Sequence, residues 1–181
     1  MFDIDTTVPV MTAEDWDAEE RLIWDLTEAA LAAGPSDEPV MLPPDIESWP
    51  TDERLSVLLS AVDVHQLSGA DRVAYMKAQH RLNASGQARF LGAVNAVSDV
   101  YDEMAEDIED PNAGASMEIR AALRWTRRAV DNEMAFAHDL GVRLPSLFER
   151  LSQGHVDRRR AERLSDHTSH LSVAHARQVV D

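Results

Sequence analysis

The sequence predicts an all-α protein, a multi-helix bundle with one long central helix and a C-terminal, helix-turn-helix-like set of short helices. Apolar residues recur at spacings of three and four through most of the chain, which is the period of a helix with one buried face. Helix-capping residues stand at the start of several such stretches, and glycines and prolines separate them. This punctuation divides the 181 residues into three regions.

Residues 1–50 form the first predicted region, an acidic helix followed by a proline-rich strap. Thr12 and Asp15 have the spacing of a capping box at the start of that helix. A glycine-proline pair ends it, and residues 34–50 contain five of the eight prolines, a density that excludes a helix. Four apolar residues are expected to hold the strap against the body of the protein: Val40, Met41, Leu42 and Trp49.

Residues 51–110 form the second predicted region, and a long helix dominates it. A short helix over 51–62 precedes a capping signal, Ser68 with Asp71, after which the helical spacing of apolar residues continues almost to the end of the region. The residues that recur at threes and fours in the long helix are Val73, Met76, His80, Leu82, Phe90, Leu91, Val94, Val97, Tyr101, Met104 and Ile108.

The length of this helix is the reason for expecting a homodimer. An unbroken helix over residues 68–110 would be on the order of 60 Å long, so one end would project from a protein of this size. Because an exposed apolar stripe usually finds another chain, self-association through the long helix is expected. Gly86 is the candidate position for a break or kink.

Residues 111–181 form the third predicted region, a set of short arginine-rich helices that follows an acidic turn over 107–114. A first helix is expected over 117–124 and a second after the capping residue Thr126, a spacing compatible with a helix-turn-helix. The expected inward residues are Ile119, Ala122 and Leu123 in the first helix and Ala129, Val130, Met134 and Ala137 in the second.

Shorter helices are predicted beyond this pair. Residues 147–153 form one, closed by Gly154. A sequence repeat at an offset of 15 residues predicts two more, and it places Ala161 and Ala176 at equivalent positions. A small side chain at both positions is explained by close contact between helices.

Arginines make the third region the predicted nucleic-acid interface. It contains 11 of the 17 basic residues, all of them arginine. The second helix of a helix-turn-helix meets duplex DNA near its start, and contacts of arginine with phosphate supply most non-specific affinity. Seven side chains are the candidates for phosphate contact: Arg124, Arg127, Arg128, Arg158, Arg159, Arg160 and Arg163.

Charge elsewhere opposes DNA binding and leaves alternatives open. The net charge is −16, and residues 1–53 carry fifteen acids against one base. Asp131 and Glu133 fall on the second helix, while Arg120 and Arg124 stand where the motif favours a small residue and a glycine. The chain could instead be an acidic protein-protein interaction or dimerisation module without DNA binding, or an acidic DNA-mimic inhibitor. The acidic N-terminal region is also a candidate to cover the arginines.

A family resemblance is carried by three segments of the third region, EIRAALRWTRRAV, LPSLFERLSQGHVDRRRAERLSD and LSVAHARQVVD. They resemble the helical domain of unknown function that precedes an HNH nuclease domain in many actinobacterial proteins, including the mycobacterial repetitive-element proteins. The similarity extends weakly back through LSGADRVAYMKAQHRLNASGQARFLGAVNAV, and it covers roughly residues 55–181. It implies a non-catalytic helical module of a mobile-element type of protein, and we expect a role in nucleic-acid targeting and self-association.

The resemblance does not extend to catalysis. The HNH metal site of that family lies beyond the helical domain, usually with zinc-binding cysteine pairs and adjacent histidines, and this chain has no cysteine and no His-His pair. We therefore expect no enzyme activity, no cofactor and no metal, in a shortened copy, an excised fragment or a stand-alone relative of the family. The spacing of His167, His170 and His175 does not preset a zinc site on one helix.

The remaining features indicate a bacterial cytoplasmic protein. No run of about 18 apolar residues is present, and the N-terminus lacks the basic-then-apolar order of a signal peptide. No phosphate-binding glycine motif or nucleophile motif occurs, so no small-molecule substrate is inferred. One lysine against sixteen arginines fits a GC-rich genome.

Overall fold

A computed structural model of the chain describes residues 28, 41–104 and 110–180. This part of the protein is helical and contains no β-strand, so the all-α prediction is confirmed. Its α-helices are α1 (Glu53–Ala61), α2 (Gly69–Glu103), α3 (Pro111–Leu123), α4 (Arg127–His138), α5 (Pro145–Ser152), α6 (Arg158–Thr168) and α7 (Val173–Val180). Two 3-10 helices (Ile46–Ser48 and Val64–Gln66) and a π-helix (Asp139–Arg143) complete the described elements. Of the predicted acidic helix only Glu28, which is helical, is described, and the rest of that prediction lies outside these residues.

The strap packs on the N-terminal half of α2 with fewer contacts than predicted. Leu42 is buried and Trp49 is half-buried, as expected, and Ile46 supplies a further buried contact. Met41 is 82% exposed, so its predicted contact is wrong. Val40 lies outside the described residues.

Helix α1 begins two residues later than predicted because Asp52 caps it. The Oδ1 of Asp52 accepts a hydrogen bond from the backbone N–H of Leu55 at 3.3 Å. Thr51 instead donates its hydroxyl to the carbonyl oxygen of Ser152, 3.1 Å away at the end of α5. Thr51, the predicted first residue of this helix, therefore links the end of the strap to the end of α5.

Helix α2 runs unbroken over 35 residues, and Gly86 lies inside it without ending it. Its predicted start is confirmed, since the hydroxyl oxygen of Ser68 accepts from the backbone N–H of Asp71 at 3.2 Å. The axis of the helix should therefore extend on the order of 50 Å at 1.5 Å per residue.

The buried residues of α2 coincide only in part with the apolar stripe of the sequence. The buried residues of this helix are Ala78, Ala84, Ser85, Ala88, Leu91 and Val94. Val73, Met76, His80 and Met104 of the apolar stripe are exposed, and Ile108 lies outside the described residues. Four of these six residues are alanine or serine, which let the neighbouring helices approach α2 closely.

Neighbouring elements pack on α2 along its described length, while Val73, Met76, Val100 and Met104 remain exposed. The strap and α1 pack on its N-terminal half, and α3, α4 and α5 pack on the rest. Near its C-terminus the hydroxyl of Tyr101 donates to the Glu118 carboxylate on α3 at 2.6 Å, because α3 folds back along α2. Self-association itself stays a prediction.

The helix-turn-helix-like pair is present as α3 and α4, and its first helix is longer than predicted. Asp110 caps α3 by accepting from the backbone N–H of Ala113 at 3.0 Å, and Pro111 occupies the first turn, where it is pre-organised for a helix. Residues 111–114 are therefore helical, where a turn was predicted. Arg124 ends α3 and Thr126 caps α4 as predicted.

Burial within this pair agrees with the prediction in part. The confirmed inward positions are Ile119, Val130, Met134 and Ala137. The exposed residues whose predicted burial is wrong are Ala122, Leu123 and Ala129. All three lie beside the connecting turn, where the two helices meet solvent.

The last three helices close the main hydrophobic core. Helix α5 begins at Pro145 and ends at Ser152, close to the predicted bounds. The repeat is confirmed as α6 and α7, in which Ala161 and Ala176 are fully buried. The main core joins the central and C-terminal parts of α2 to α3–α7, and a second cluster joins the N-terminal half of α2 to α1 and the strap.

Gly154 permits the closest approach between the α5–α6 loop and α2. Its φ is +72°, and an added Cβ would lie 2.7 Å from the backbone oxygen of Arg81. We expect Gly154→Ala to lower the free energy of unfolding by about 2 kcal/mol, from left-handed strain and from this clash. Gly86→Ala is the matched control, because nothing lies within 4 Å of its added Cβ, and it should stabilise by about 0.5–1 kcal/mol. Urea unfolding of both variants measures the difference, and equal midpoints would contradict it.

Candidate nucleic-acid interface

Arg158 is the centre of an ion-pair network between α4 and α6. Its two Nη atoms donate to the two carboxylate oxygens of Glu133 at 2.7 and 2.5 Å, and its Nε donates to Glu162 at 2.8 Å. Nη1 also donates to the side-chain oxygen of Gln87 on α2 at 3.0 Å. The guanidinium carbon lies 5.4 Å from the centre of the Phe136 ring, within the range of a cation–π contact.

These contacts hold Arg158 between carboxylates of α4 and α6. Its side chain is 29% exposed and that of Glu133 only 8%. Hydrogen bonds to Glu133 raise the pKa of Arg158 above its ordinary value in spite of its burial, and Glu162 adds to this. The phosphate contact predicted for Arg158 gains no support from this arrangement, because a phosphate would have to displace two carboxylates to reach the guanidinium group.

A second network fixes the other end of the same helices. Arg143, in the π-helix, binds both carboxylate oxygens of Asp139 and donates to the backbone oxygens of Ser165 and Thr168 at 3.0 Å each. The Ser165 hydroxyl donates to Asp139 at 2.6 Å. Burial raises the pKa of Asp139, but the hydrogen bonds from Arg143 and Ser165 outweigh burial and hold it below its ordinary value.

The two networks set α4 and α6 side by side and running in the same direction. Glu133 pairs with Arg158 at the start of α6, and Asp139 pairs with Ser165 near its end. A polar groove of about 640 Å³ lies between the two helices, and both networks line it. The N-termini of α4 and α6 therefore point toward the same end of the bundle, and both present the positive end of a helix dipole there.

Both helix N-termini lie against the same turn of α2. The ring of Trp125, in the α3–α4 turn, packs edge-on against Phe90 with ring centres 5.9 Å apart. Arg158 is bonded to Gln87, three residues before Phe90 on that helix. Trp125, before α4, and Arg158, at the start of α6, thus contact the same turn of α2, although about 30 residues separate them in the chain.

Four of the seven predicted arginines are exposed and unpaired among the described residues: Arg124, Arg128, Arg159 and Arg163. Arg127 pairs with Asp131 at 3.5 Å, and Arg160 pairs with Asp157 at 3.3 Å, in contacts that leave both guanidinium groups largely exposed. Exposed ion pairs of this kind are weak, so phosphate can compete for Arg127 and Arg160. We call the four unpaired arginines, together with Arg127 and Arg160, the arginine surface.

Carboxylates limit this surface on the α3 side. A second groove of about 670 Å³ lies between α2, α3 and α4, and Asp99, Asp102 and Asp131 line it. Asp131 also accepts a hydrogen bond from Ser116 at 2.9 Å. A duplex lying along the whole of α4 would bring phosphates close to these carboxylates, so a phosphate contact would be favourable only at the N-terminal end of the helix.

Arg89 and Trp125 belong to this region as well, although neither was among the residues predicted from the sequence. Arg89 precedes Phe90, is exposed and has no ion pair among the described residues. Trp125 is 39% exposed between Arg124 and Thr126. The signal for Trp125 was available in the sequence, because an aromatic residue between arginines is typical of nucleic-acid contacts, whereas Arg89 became recognisable only from the packing of Phe90.

Comparisons with known proteins leave the family open. Searches of protein-family profiles, curated proteins and solved structures found no match to this chain. Within residues 41–104 and 110–180, histidine, aspartate and glutamate side chains form no group of three that could hold a metal ion. In the same residues, no helix combines the length and the apolar character needed to cross a membrane.

Proposed function

We propose that this protein is a non-catalytic nucleic-acid-binding module and that its arginine surface contacts the phosphate backbone. The observation that carries the proposal is that Arg124, Arg128, Arg159 and Arg163 are exposed, without described carboxylate partners, near the starts of α4 and α6. Charges that repel each other are usually kept apart or neutralised, so an unpaired group of this kind indicates an anionic partner.

The charge distribution supports a local and salt-sensitive contact. The chain carries a net charge of −16, yet most of that charge lies outside the described residues. Each arginine that neutralises a phosphate adds about 0.7–0.9 to the slope of log affinity against log salt. With four to six such contacts, binding should be detectable at low salt and should fall steeply as salt rises.

The family resemblance indicates the kind of protein in which such a nucleic-acid-binding module would act. A helical module of an HNH-type, mobile-element protein would hold nucleic acid for a nuclease to which it is joined or with which it assembles. We propose duplex DNA as one target to test, together with its separated strands, in the bacterial cytoplasm. This part of the proposal rests on the sequence segments quoted above.

The test is fluorescence anisotropy of a labelled DNA strand of about 20 nucleotides, alone and annealed, titrated with the full chain across a salt series. We expect Arg124→Gln/Arg128→Gln and Arg159→Gln/Arg163→Gln each to weaken binding at low salt by about tenfold. Each pair should also reduce the salt slope by about 1.5.

Lys77→Glu is the charge-matched control, because it lowers the net charge by the same amount as each arginine pair. Lys77 is on the N-terminal half of α2, where it pairs with Glu47 at 3.0 Å. It lies roughly 15 Å or more along the helix from Gln87 and Phe90. Equal losses in the control and the arginine pairs would show that only overall charge matters, and absence of binding to both forms of DNA would overturn the proposal.

Self-association is the second candidate function, and one surface favours it. Val73 and Met76 lie one turn apart on α2 and are both exposed. They could form the centre of a contact between two copies of the chain, in agreement with the dimerisation alternative. Absence of nucleic-acid binding, combined with a molecular mass of two chains in sedimentation, would favour this function.

A further inference from the structure

Trp125 is held in a fixed position by the structure around it. Arg124, with φ +55°, ends α3 on one side, and on the other side Thr126 caps α4 by accepting from the backbone N–H of Ala129 at 3.3 Å. The edge-on contact with Phe90 on α2 further restricts the position of the Trp125 ring. The indole is therefore pre-organised, and binding to it would cost little side-chain entropy.

The indole of Trp125 is partly exposed to solvent, although burial of a tryptophan side chain is usually favourable. It is 39% exposed, and the cation–π contact in the described part of the chain is made by Arg158 with Phe136. No arginine of the surrounding turn thus covers its ring. A rigid, uncovered aromatic ring between cations is the arrangement on which an unpaired base stacks while its phosphates meet arginine.

The carboxylates near α4 favour a single strand over a duplex. Paired bases inside a duplex offer no free face to an indole, whereas an unpaired base does. A rigid duplex that extends past the turn would approach Asp99, Asp102 and Asp131. A flexible strand can follow Arg124 and Arg128 toward Arg159 and avoid them.

We propose that Trp125 is a stacking platform for an unpaired base, so that the arginine surface prefers single-stranded nucleic acid to a duplex. This inference rests on the proposed function. It narrows the partner to a flexible polyanion with aromatic bases, such as a separated strand, a loop or a frayed end.

The experiment compares an oligothymidine strand of about 12 nucleotides with a duplex of equal length, by anisotropy and by tryptophan fluorescence. We expect the wild-type chain to bind the strand more tightly than the duplex and its fluorescence to be quenched. Trp125→Leu should weaken strand binding by about tenfold and leave duplex binding unchanged, while Trp125→Phe should retain most of it.

Two further measurements keep the outcomes distinct. Trp49→Phe is the matched control, since Trp49 lies in the strap, and it should leave both the quenching and the affinity in place. Unfolding curves of the Trp125 variants show whether the turn is intact. If Arg124→Gln/Arg128→Gln weakens binding but Trp125→Leu does not, the stacking inference fails and the proposed function stands. If neither does, both fail, and quenching by a polyglutamate peptide instead of the strand would point to an acidic protein partner.

Discussion

Replacing Arg143 with methionine is expected to lower the free energy of unfolding by about 3 kcal/mol. The side chain is 15% exposed and binds Asp139 through two atoms, while it also donates to the backbone oxygens of Ser165 and Thr168 at the end of α6. Methionine fills much of the same volume but leaves the Asp139 carboxylate with the Ser165 hydroxyl as its remaining donor. Urea unfolding followed by circular dichroism measures the loss.

Arg163→Met is the matched control for this result. Arg163 is exposed and has no ion pair among the described residues, so the same substitution there should change stability by less than about 0.5 kcal/mol. If the two variants unfolded at the same urea concentration, the Arg143 network would make no measurable contribution to the stability of the fold.

Acid should narrow the difference between wild type and Arg143→Met. In the folded protein the hydrogen bonds from Arg143 and Ser165 outweigh burial and hold the pKa of Asp139 below its ordinary value of 3.8. The contribution of this carboxylate is therefore fully present above pH about 4 and is lost as pH falls through the lowered pKa. Without Arg143, burial opposes ionisation, so the variant should lose less stability than wild type between about pH 5 and pH 3.

The fold class was predictable from the sequence because its determinants are local. Caps such as Ser68 and Thr126 satisfy helix ends with residues only three positions away, and the structure uses both as predicted. Ala161 and Ala176, at equivalent positions of the repeat, likewise indicate close contacts between helices, and both are fully buried. Signals of this kind do not depend on which helices become neighbours.

The buried face of α2 was not predictable in the same way. Two separate groups of helices cover this helix at different levels, so no single stripe of large residues describes its burial. Met76 satisfies the apolar spacing yet is exposed, and Ala88 carries no strong signal yet is buried. The choice between them depends on tertiary packing, which local spacing does not contain.

The candidate site was predictable by composition but not residue by residue. The sequence identified the arginine-rich third region, but it could not distinguish Arg158 from Arg159. The two differ by one position on α6, and only the neighbouring Glu133 on another helix assigns the first to the interior. Because Glu133 lies 25 residues from Arg158 in the chain, their contact depends on the tertiary structure and not on the local sequence.

The Arg158–Glu133 pair is expected to show strong coupling in a double-mutant cycle. Glu133→Met and Arg158→Met should each lower the free energy of unfolding by about 3 kcal/mol, because each leaves one mostly buried charge without its main partner. The double variant should lose about 1 kcal/mol or less, since it removes both charges and restores apolar contact with Phe136. Glu162→Met is the control, because Glu162 is 43% exposed and its pairing with Arg158 should contribute below about 1 kcal/mol. Additive losses in the cycle would contradict the coupling.

The Glu133→Met/Arg158→Met variant also tests whether Arg158 belongs to the proposed nucleic-acid interface. If Arg158 holds α4 to α6 and does not meet phosphate, Glu133→Met/Arg158→Met should bind the labelled strand within about twofold of wild type. Arg159→Gln/Arg163→Gln, on the same helix, should bind about tenfold more weakly while it unfolds at nearly the wild-type urea concentration. A loss of binding in the double variant as large as in the surface pair would show that Arg158 leaves Glu133 to contact nucleic acid. The interface would then include all seven arginines that the sequence predicted, and the groove between α4 and α6 would open on binding.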